Sequence, residues 1–448
     1  MKEDLLPFLP KGIHYCIESR FSKLKKPNDI IIHKGLFTVI HNNICVQLKG
    51  IIKLVWLPSL RISFQGIINS PRETRGINFF DGLIQIKIGQ TLLGDGFITQ
   101  RSIGKHFSLS GLIKYSDFSS IKDKKVDLIR FVIPNLKELM IGKLRDDRGF
   151  WSGHVELNDT LVKIQVDQRK DYSKFIDYLR NFGGYAMLHW GQIEKIDSKI
   201  SIKEAFDYLD KLSLFLSFIN GRKVSALIRD IYDKNKLIKT DWTPYQCDNY
   251  KNTFQWLPHN HKFPINDIWL RFHALCKDKN DYNAIVSLVH WYTSANSNTG
   301  LLEGSIIMAQ TAIELLFNWV VFEKLQAVDS KDLDKINAAS KIRLIWTLIG
   351  INESKISLTD EYKNFINNEP DVSTVSQAMS WMRNSIVHGN FKKRIKYDGL
   401  GNNLKSETLS IFLWTIECLF LALLKYDGDY INRLGKFEEQ EFKYSLKY

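Results

Sequence analysis

Trp381-Met382-Arg383-Asn384-Ser385-Ile386-Val387-His388-Gly389-Asn390, near the C-terminal end of the chain, is typical of the last turns of an amphipathic helix. Thr374, with Gln377 three residues later, predicts a capping box at the start of this helix. Gly389 and Asn390 are residue types that end helices, so the predicted helix spans residues 374–388. Apolar residues recur at spacings of three and four and predict one face against a core: Ala378, Met379, Met382 and Ile386.

Polar residues follow the other side of this predicted helix: Ser380, Arg383, Asn384 and His388. Asn384 and His388 are four residues apart and are therefore neighbours on one face. Arg383 lies about 140° from His388 around a helix of about 3.6 residues per turn, an angle that a long guanidinium side chain can bridge. An arginine that holds a phosphate and a histidine that transfers a proton can cleave RNA without a metal, because the RNA supplies its 2′-hydroxyl as nucleophile.

The arginine-to-histidine spacing also occurs at Arg101 and His106, among predicted strands and with Gly104 inside it. The copy at Arg383 differs because an asparagine follows the arginine and a helical pattern surrounds it. An ordinary structural interpretation stays open. In that interpretation Arg383 is a surface arginine paired with a carboxylate, Asn384 is solvated, and His388 caps the helix.

Arg383-Asn384-x-x-x-His388 near the end of a late helix resembles the signature of the HEPN domain (higher eukaryotes and prokaryotes nucleotide-binding), many members of which are metal-independent ribonucleases. Residues 303–314 resemble the first long helix of that domain, which often carries an acidic or polar residue near the active site. A strand-rich front half followed by such a domain is similar in architecture to the ApeA-type anti-phage defence proteins. The resemblance implies a cytoplasmic endoribonuclease toxin that acts in abortive infection.

Under this resemblance His388 is the general base for the 2′-hydroxyl or the general acid for the leaving 5′-oxygen. Arg383 binds the scissile phosphate, and Asn384 orients His388 or the phosphate. Glu314 is a supporting residue that either pairs with Arg383 or is an ordinary glutamate at the rim. The family forms homodimers in which two motifs converge, and the products carry 2′,3′-cyclic phosphate ends.

A cationic segment follows the motif directly, with Lys392, Lys393 and Arg394 placed between Phe391 and Tyr397. Cations interleaved with aromatic residues can track an RNA backbone and stack on its bases. The alternative is a solvated loop. The formal net charge of the chain is +13, which favours a polyanionic partner such as tRNA or another cellular RNA, although a Lys-, Ile- and Asn-rich composition produces the same excess without one.

The composition excludes several other classes of protein. The five cysteines are separated and form no CxxC pair, which indicates neither a zinc ribbon nor a disulfide framework and fits a reducing cytoplasm. The N-terminus shows no signal peptide, and the apolar run over residues 409–424 is too short and too polar for a membrane span. There is no GxxxxGK[ST] loop and no clustered His/Cys/Asp ligand set, so neither a cofactor nor a metal is expected.

Hydrophobic periodicity predicts an α+β chain of 448 residues in three segments. Residues 1–170 read as an antiparallel β-rich sandwich or barrel-like sheet, 171–264 as a mixed segment, and 265–448 as an all-α bundle. The resemblance implies that this bundle is a HEPN domain. Gly94-Asp95-Gly96 is predicted to be a turn. The predicted strands are residues 30–40, 44–56, 61–68, 82–88, 107–115, 127–133, 151–166, 184–193 and 224–232. The predicted helices are residues 172–182, 202–218, 266–277, 282–295, 301–325, 331–348, 360–367, 374–388 and 406–426.

Two other functions compete with a ribonuclease whose front domain senses a phage-derived trigger or restrains the nuclease. One is a catalytically inactive HEPN scaffold that binds nucleotide or RNA. The other is a protein-interaction module whose helices serve only to dimerise. The presence of both Arg383 and His388 favours the ribonuclease over the inactive scaffold.

Overall fold

The computed structural model describes residues 13–17, 19–22, 29–68, 82–103, 107–146, 149–258, 263–297, 301–434 and 439–443. The chain divides into two compact units. The first unit comprises Met1–Ser213 and Val224–Lys251, and the second comprises Leu214–Lys223 and Asn252–Tyr448. Strands dominate the first unit and helices the second, so the predicted α+β class with a β-rich front is confirmed.

The described residues of the first unit form a closed six-stranded barrel, an eight-stranded sheet, a short two-stranded sheet and one complete helix. Its strands are β1 Ile13–Tyr15, β2 Ile30–His41, β3 Ile44–Val55, β4 Arg61–Ile68, β5 Ile84–Ile88, β6 Thr91–Ile103, β7 Phe107–Ser116, β8 Lys125–Val126, β9 Leu128–Pro134, β10 Gly142–Asp146, β11 Gly149–Asn158, β12 Val162–Gln168, β13 Met187–Lys195, β14 Ile200–Ser201, β15 Leu227–Asp233 and β16 Lys236–Asp241. Its helix is α1 Tyr172–Phe182, and α2 Ile202–Asn220 begins in this unit and ends in the second.

Among the described strands, β2, β3, β4, β7, β6 and β5 close in that order into a barrel of antiparallel pairs. Alternate side chains point inward, as in β4, where Ile62, Phe64 and Ile68 are buried. This closed arrangement fits the barrel-like half of the prediction and abolishes free sheet edges.

The predicted turn at Gly94-Asp95-Gly96 is wrong, because all three residues lie inside β6. A Cβ on Gly94 would stand 1.9 Å from the carbonyl oxygen of Tyr115, and one on Gly96 would stand 2.2 Å from that of Leu112. The glycines are therefore required by the close approach of β7 at an irregularity of the pairing, and not by a chain reversal.

The second sheet has the strand order β1-β10-β11-β12-β13-β9-β15-β16. Its pairs are antiparallel except that β1 lies parallel to β10. Because β12 and β13 pair directly, strands on both sides of residue 170 belong to one sheet. The two compact units consequently divide the chain differently from the three predicted segments.

The second unit consists mainly of helices. They are α3 Ile265–Leu275, α4 Lys279–Asn296, α5 Leu301–Leu316, α6 Ser330–Leu333, α7 Ala338–Leu348, α8 Asp360–Asn368, α9 Val375–Val387, α10 Phe391–Asp398 and α11 Asn402–Leu423. The prediction of an all-α bundle is wrong in one respect, because β17 Gly428–Ile431 and β18 Glu439–Phe442 form an antiparallel hairpin. The predicted helix over residues 331–348 is two helices, and Asn337 caps the second of them by accepting from the Ser340 amide.

Two apolar helical segments form much of the core of this unit. Leu301–Lys324, which is α5 with a π-helical extension, and Asn402–Leu423 are long and apolar enough to cross a membrane by length and composition. The expectation that the run over residues 409–424 is too short and too polar for a span is therefore wrong by these two criteria. The apolar windows of the two segments are 61% and 78% buried inside the fold, as in the core helices of a soluble protein. Burial in the protein therefore accounts for their hydrophobicity.

Candidate functional site

The helix that carries the motif, α9, begins as predicted. Thr374 caps it, with its hydroxyl oxygen accepting from the Gln377 amide at 3.3 Å. In a capping box, the Gln377 side chain would accept from the backbone amide of the capping residue, Thr374. Here it accepts instead from the amide and hydroxyl of Ser373, one residue earlier. The predicted apolar stripe faces the core, with Ala378, Met379 and Met382 fully buried and Ile386 partly buried. Thus α9 packs one face against the core and leaves Asn384 and His388 exposed.

Arg383, Asn384 and His388 lie at the exposed C-terminal end of α9. Arg383 donates from Nη1 to the Asn384 side-chain oxygen at 3.1 Å. The His388 amide donates to the Asn384 carbonyl oxygen at 2.8 Å, which closes the last helical turn. Asn384 therefore positions the guanidinium by its side chain and His388 by its backbone. Within the described part of the chain, the His388 imidazole makes no hydrogen bond or ion pair, so it stays available to a ligand.

The second copy of the spacing does not form such a site. Arg101 lies in β6 and its guanidinium stacks over the Phe107 ring, 4.5 Å from the ring centroid. His106 lies outside the described residues.

The end of α9 depends on a close approach at Gly389. A Cβ at this position would lie 2.2 Å from the Ser385 carbonyl oxygen. Asn390 then caps the next helix, since its side chain accepts from the Lys393 amide at 3.0 Å. These two residues end one helix, as predicted, and also begin another.

The cationic segment after the motif is a solvent-exposed helix, so only the loop in the alternative interpretation is wrong. Lys392, Lys393 and Arg394 lie on α10, which exposes most of its surface. One residue anchors this helix to α5, because buried Tyr397 donates to a carboxylate oxygen of Glu303 at 3.3 Å. Burial, with the Glu303 carboxylate acting in the same direction, raises the pKa of Tyr397 and keeps it protonated as the donor. The helix therefore fixes its cations beside the motif.

Glu314 pairs within its own helix. Its Oε1 accepts from the Gln310 side chain at 3.1 Å, and Arg383 bonds to Asn384 instead. The interpretation that Glu314 pairs with Arg383 is therefore wrong. Glu303, rather than Glu314, is the residue of α5 that bonds to α10, the helix after the motif.

A cavity of about 280 Å³ opens beside the motif, between α7, α9 and α10. Among its lining residues are Asn337, Arg343, Asp371, Ser380, Trp381, Asn384 and Lys393. The first turn of α7 also faces it through Ala338 and Ala339. Amides at a helix N-terminus together with two cations suit an anion, while Asp371 suits a hydroxyl or amino group.

Two buried polar atoms of the cavity wall lack partners. In the part of the chain that the structure describes, neither Ser380 Oγ nor Trp381 Nε1 makes a hydrogen bond. Their side chains are only 8% and 6% exposed. Buried polar groups are almost always hydrogen-bonded, so these two indicate a ligand or water in the cavity.

The sequence placed Ser380 on the polar side of the helix, but Ser380 is buried in the cavity wall. The sequence predicted no role for Arg343. Arg343 lies forty residues before the motif, and no spacing links them in the sequence. The packing of α7 against α9 brings Arg343 to the cavity.

Most of the chain is similar to known proteins. Residues 121–253 match the model described as the YopA central domain, and residues 278–443, which include the motif, match the YopA C-terminal domain. The chain is similar to the "SPbeta prophage-derived uncharacterized protein YopA" of Bacillus subtilis (strain 168). The two are 26% identical over 434 residues, which cover 94% of this chain and 95% of the relative. No solved structure matches.

Proposed function

We propose that the protein is a metal-independent endoribonuclease of the HEPN type that acts in the cytoplasm in anti-phage defence. The observation that carries the proposal is the cluster at the end of α9, where Asn384 holds Arg383 and the exposed His388 imidazole has no competing partner in the described part of the chain. The role in anti-phage defence is taken from the resemblance to the ApeA-type proteins, and the relative is itself described as prophage-derived.

In this reaction the imidazole of His388 takes the proton of the RNA 2′-hydroxyl, and the 2′-oxygen attacks the adjacent phosphorus. The bond from phosphorus to the 5′-oxygen breaks, and a proton donor completes that leaving group. The products are a 2′,3′-cyclic phosphate and a free 5′-hydroxyl. Arg383 binds the phosphate and stabilises the charge that accumulates on its oxygens in the transition state.

One imidazole cannot serve both faces of an in-line displacement, so we propose that two copies of the chain combine their motifs. An exposed apolar surface beside His388 supports this dimer. It is formed by Val387, Phe391 and Ile395, which are 43%, 70% and 55% exposed. Phe391 and Ile395 are four residues apart on α10 and therefore share a face.

Phe391→Glu should convert the dimer into a monomer at micromolar concentration and abolish cleavage, because it places a charge in the apolar contact. Light scattering measures the mass, and the RNA assay measures the activity. Leu344→Glu is the matched control, since Leu344 is an exposed apolar residue of α7, 41% exposed. A wild-type protein that is monomeric yet fully active would contradict the composite site.

The cavity next to Asn384 is proposed to hold the nucleotide adjacent to the scissile phosphate. Arg343→Ala and Lys393→Ala should each weaken binding of single-stranded RNA and lower the slope of log affinity against log salt by about 1. Fluorescence anisotropy with a labelled oligonucleotide measures this in a His388→Ala background, in which the RNA stays intact. Lys331→Ala is the control, because Lys331 is 75% exposed and lies outside the cavity. Equal slopes for all variants would show that RNA does not contact the cavity.

The test of the function is direct. Purified protein is incubated with total bacterial RNA in excess EDTA, and tRNA and rRNA are probed for cuts. The proposal expects cleavage fragments that can be ligated only after a polynucleotide kinase has opened their cyclic phosphates. Binding without cleavage, also during phage infection, would favour the inactive RNA-binding scaffold.

A further inference from the structure

Two histidines and a glutamate meet on the eight-stranded sheet of the first unit, away from any residue used above. His14 lies on β1, and His154 and Glu156 lie on β11. His154 and Glu156 are two residues apart in a strand, so their side chains point to the same face. Their ligand atoms and that of His14 all lie within 4.8 Å of one another.

A buried carboxylate fixes the orientation and tautomer of His154. The Nδ1 atom of His154 lies 2.6 Å from Oδ1 of Asp167, which is fully buried and accepts from the Ile17 amide through its other oxygen. The proton between them therefore sits on Nδ1, and the lone pair of a neutral ring sits on Nε2. A carboxylate behind a histidine in this manner is the usual support of a zinc ligand.

The free end of the His154 ring points into the cluster. Its Nε2 atom is buried and faces Glu156, whose Oε1 lies 3.5 Å away. The side chain is 4% exposed. Glu156 Oε1 also lies 3.7 Å from Nδ1 of His14.

The two distances from Glu156 to the histidine nitrogens suit a tetrahedral ion. Bonds of about 2.0–2.2 Å to nitrogen and oxygen place neighbouring ligand atoms about 3.4 Å apart at the tetrahedral angle. We propose that His14, His154 and Glu156 bind one Zn²⁺ ion, with the fourth position taken by water. Two imidazoles and one carboxylate form a donor set that zinc accepts readily.

Three contacts change on binding. The Gln165 side-chain amide donates to Glu156 Oε1 at 2.9 Å and must leave one lone pair of that oxygen to the ion. The rings of His14 and His154 stack with centroids 3.8 Å apart and planes 16° apart, so His14 must tilt for both lone pairs to converge. Its side chain is 36% exposed on a strand of three residues, which leaves room for that rotation. The ammonium of Lys163, 3.2 Å from Glu156 Oε1, must withdraw, and its side chain is 33% exposed.

The test is titration of the tag-free full-length protein with Zn²⁺ by calorimetry, and with Co²⁺ by the absorption bands of tetrahedral cobalt. We expect one equivalent of either metal, at micromolar affinity or better, and a rise in the unfolding temperature with added Zn²⁺. His14→Gln and Glu156→Gln should each weaken binding by about tenfold or more and remove the cobalt bands. Lys163→Met should tighten binding several-fold, because the ion no longer competes with an ammonium for the carboxylate.

His33→Gln is the matched control, because His33 is a histidine of the barrel that bonds to the Leu36 carbonyl oxygen and belongs to no such cluster among the described residues. It should leave the affinity unchanged. Absence of stoichiometric binding by the folded wild-type protein would overturn the site, as would equal binding by wild type and His14→Gln. This outcome is independent of RNA cleavage, which the assay in EDTA measures without any metal.

Discussion

Replacing His388 by alanine should lower the rate of RNA cleavage by about 10²–10⁴-fold, the usual contribution of one general acid or base. The fold should be unaffected, because the imidazole is exposed and makes no hydrogen bond within the described residues. RNA affinity should also change little, since the phosphate and cavity contacts remain. The measurement is the single-turnover cleavage rate of a labelled RNA in excess EDTA, with circular dichroism to verify folding.

Two further variants sharpen this result. His290→Ala removes an exposed imidazole from α4 of the same unit and should leave the rate unchanged. Arg383→Lys keeps the charge but loses the planar fork that bonds to Asn384, so cleavage should slow even though the motif keeps a cation.

Equal cleavage by wild type and His388→Ala would place the chemistry elsewhere or in a contaminant. Inactivity of both would call for the same comparison during phage infection, where a trigger is present.

The parts of the fold that follow from local periodicity could be predicted from the sequence. The bounds of β4 and α1 match the predicted ranges 61–68 and 172–182, because each carries a strong alternating or helical apolar pattern. The helix α10 could not be predicted in this way, since few of its residues are apolar and its anchor, Tyr397, reaches Glu303 on a distant helix. Strand β6 was not predicted, because its glycines resemble a turn signal. In the structure these glycines allow the close approach of β7.

The same distinction applies to the candidate sites. Arg383, Asn384 and His388 lie within six residues, so helical geometry alone predicts that they are neighbours. The cavity requires Arg343 from another helix, and the histidine cluster joins His14 to a strand about 140 residues later. No local spacing encodes such contacts, because they arise only when the sheet and the helices are assembled. No set of metal ligands was expected, because no such residues lie close together in the sequence. The cluster on β1 and β11 combines residues that are far apart in the sequence and was therefore missed.

Glu417 is a charged residue inside the long apolar helix α11. The structure provides partners for its carboxylate. Glu417 is fully buried and accepts from Tyr292 at 2.6 Å and from Nε of Arg433 at 3.0 Å. Burial acts to lower the pKa of Arg433, but the Glu417 carboxylate outweighs it and raises that pKa. Arg433 also bonds to Asn296 and lies over the Phe254 ring. The pair therefore joins the segment after β17 to the core of the second unit.

Arg433→Met should destabilise the protein by about 3–5 kcal/mol, because removal of one partner leaves a buried carboxylate without its counter-charge. Adding Glu417→Gln to this variant should restore much of the loss, since a neutral amide still accepts from Tyr292 and needs no counter-ion. Urea unfolding of the two variants and the wild type measures the free energies. Lys335→Met, which breaks only an exposed pair with Asp332, should leave the free energy of unfolding unchanged. If Arg433→Met cost no more than this control, the buried pair would have no structural role, and the segment after β17 would be held by its apolar contacts alone.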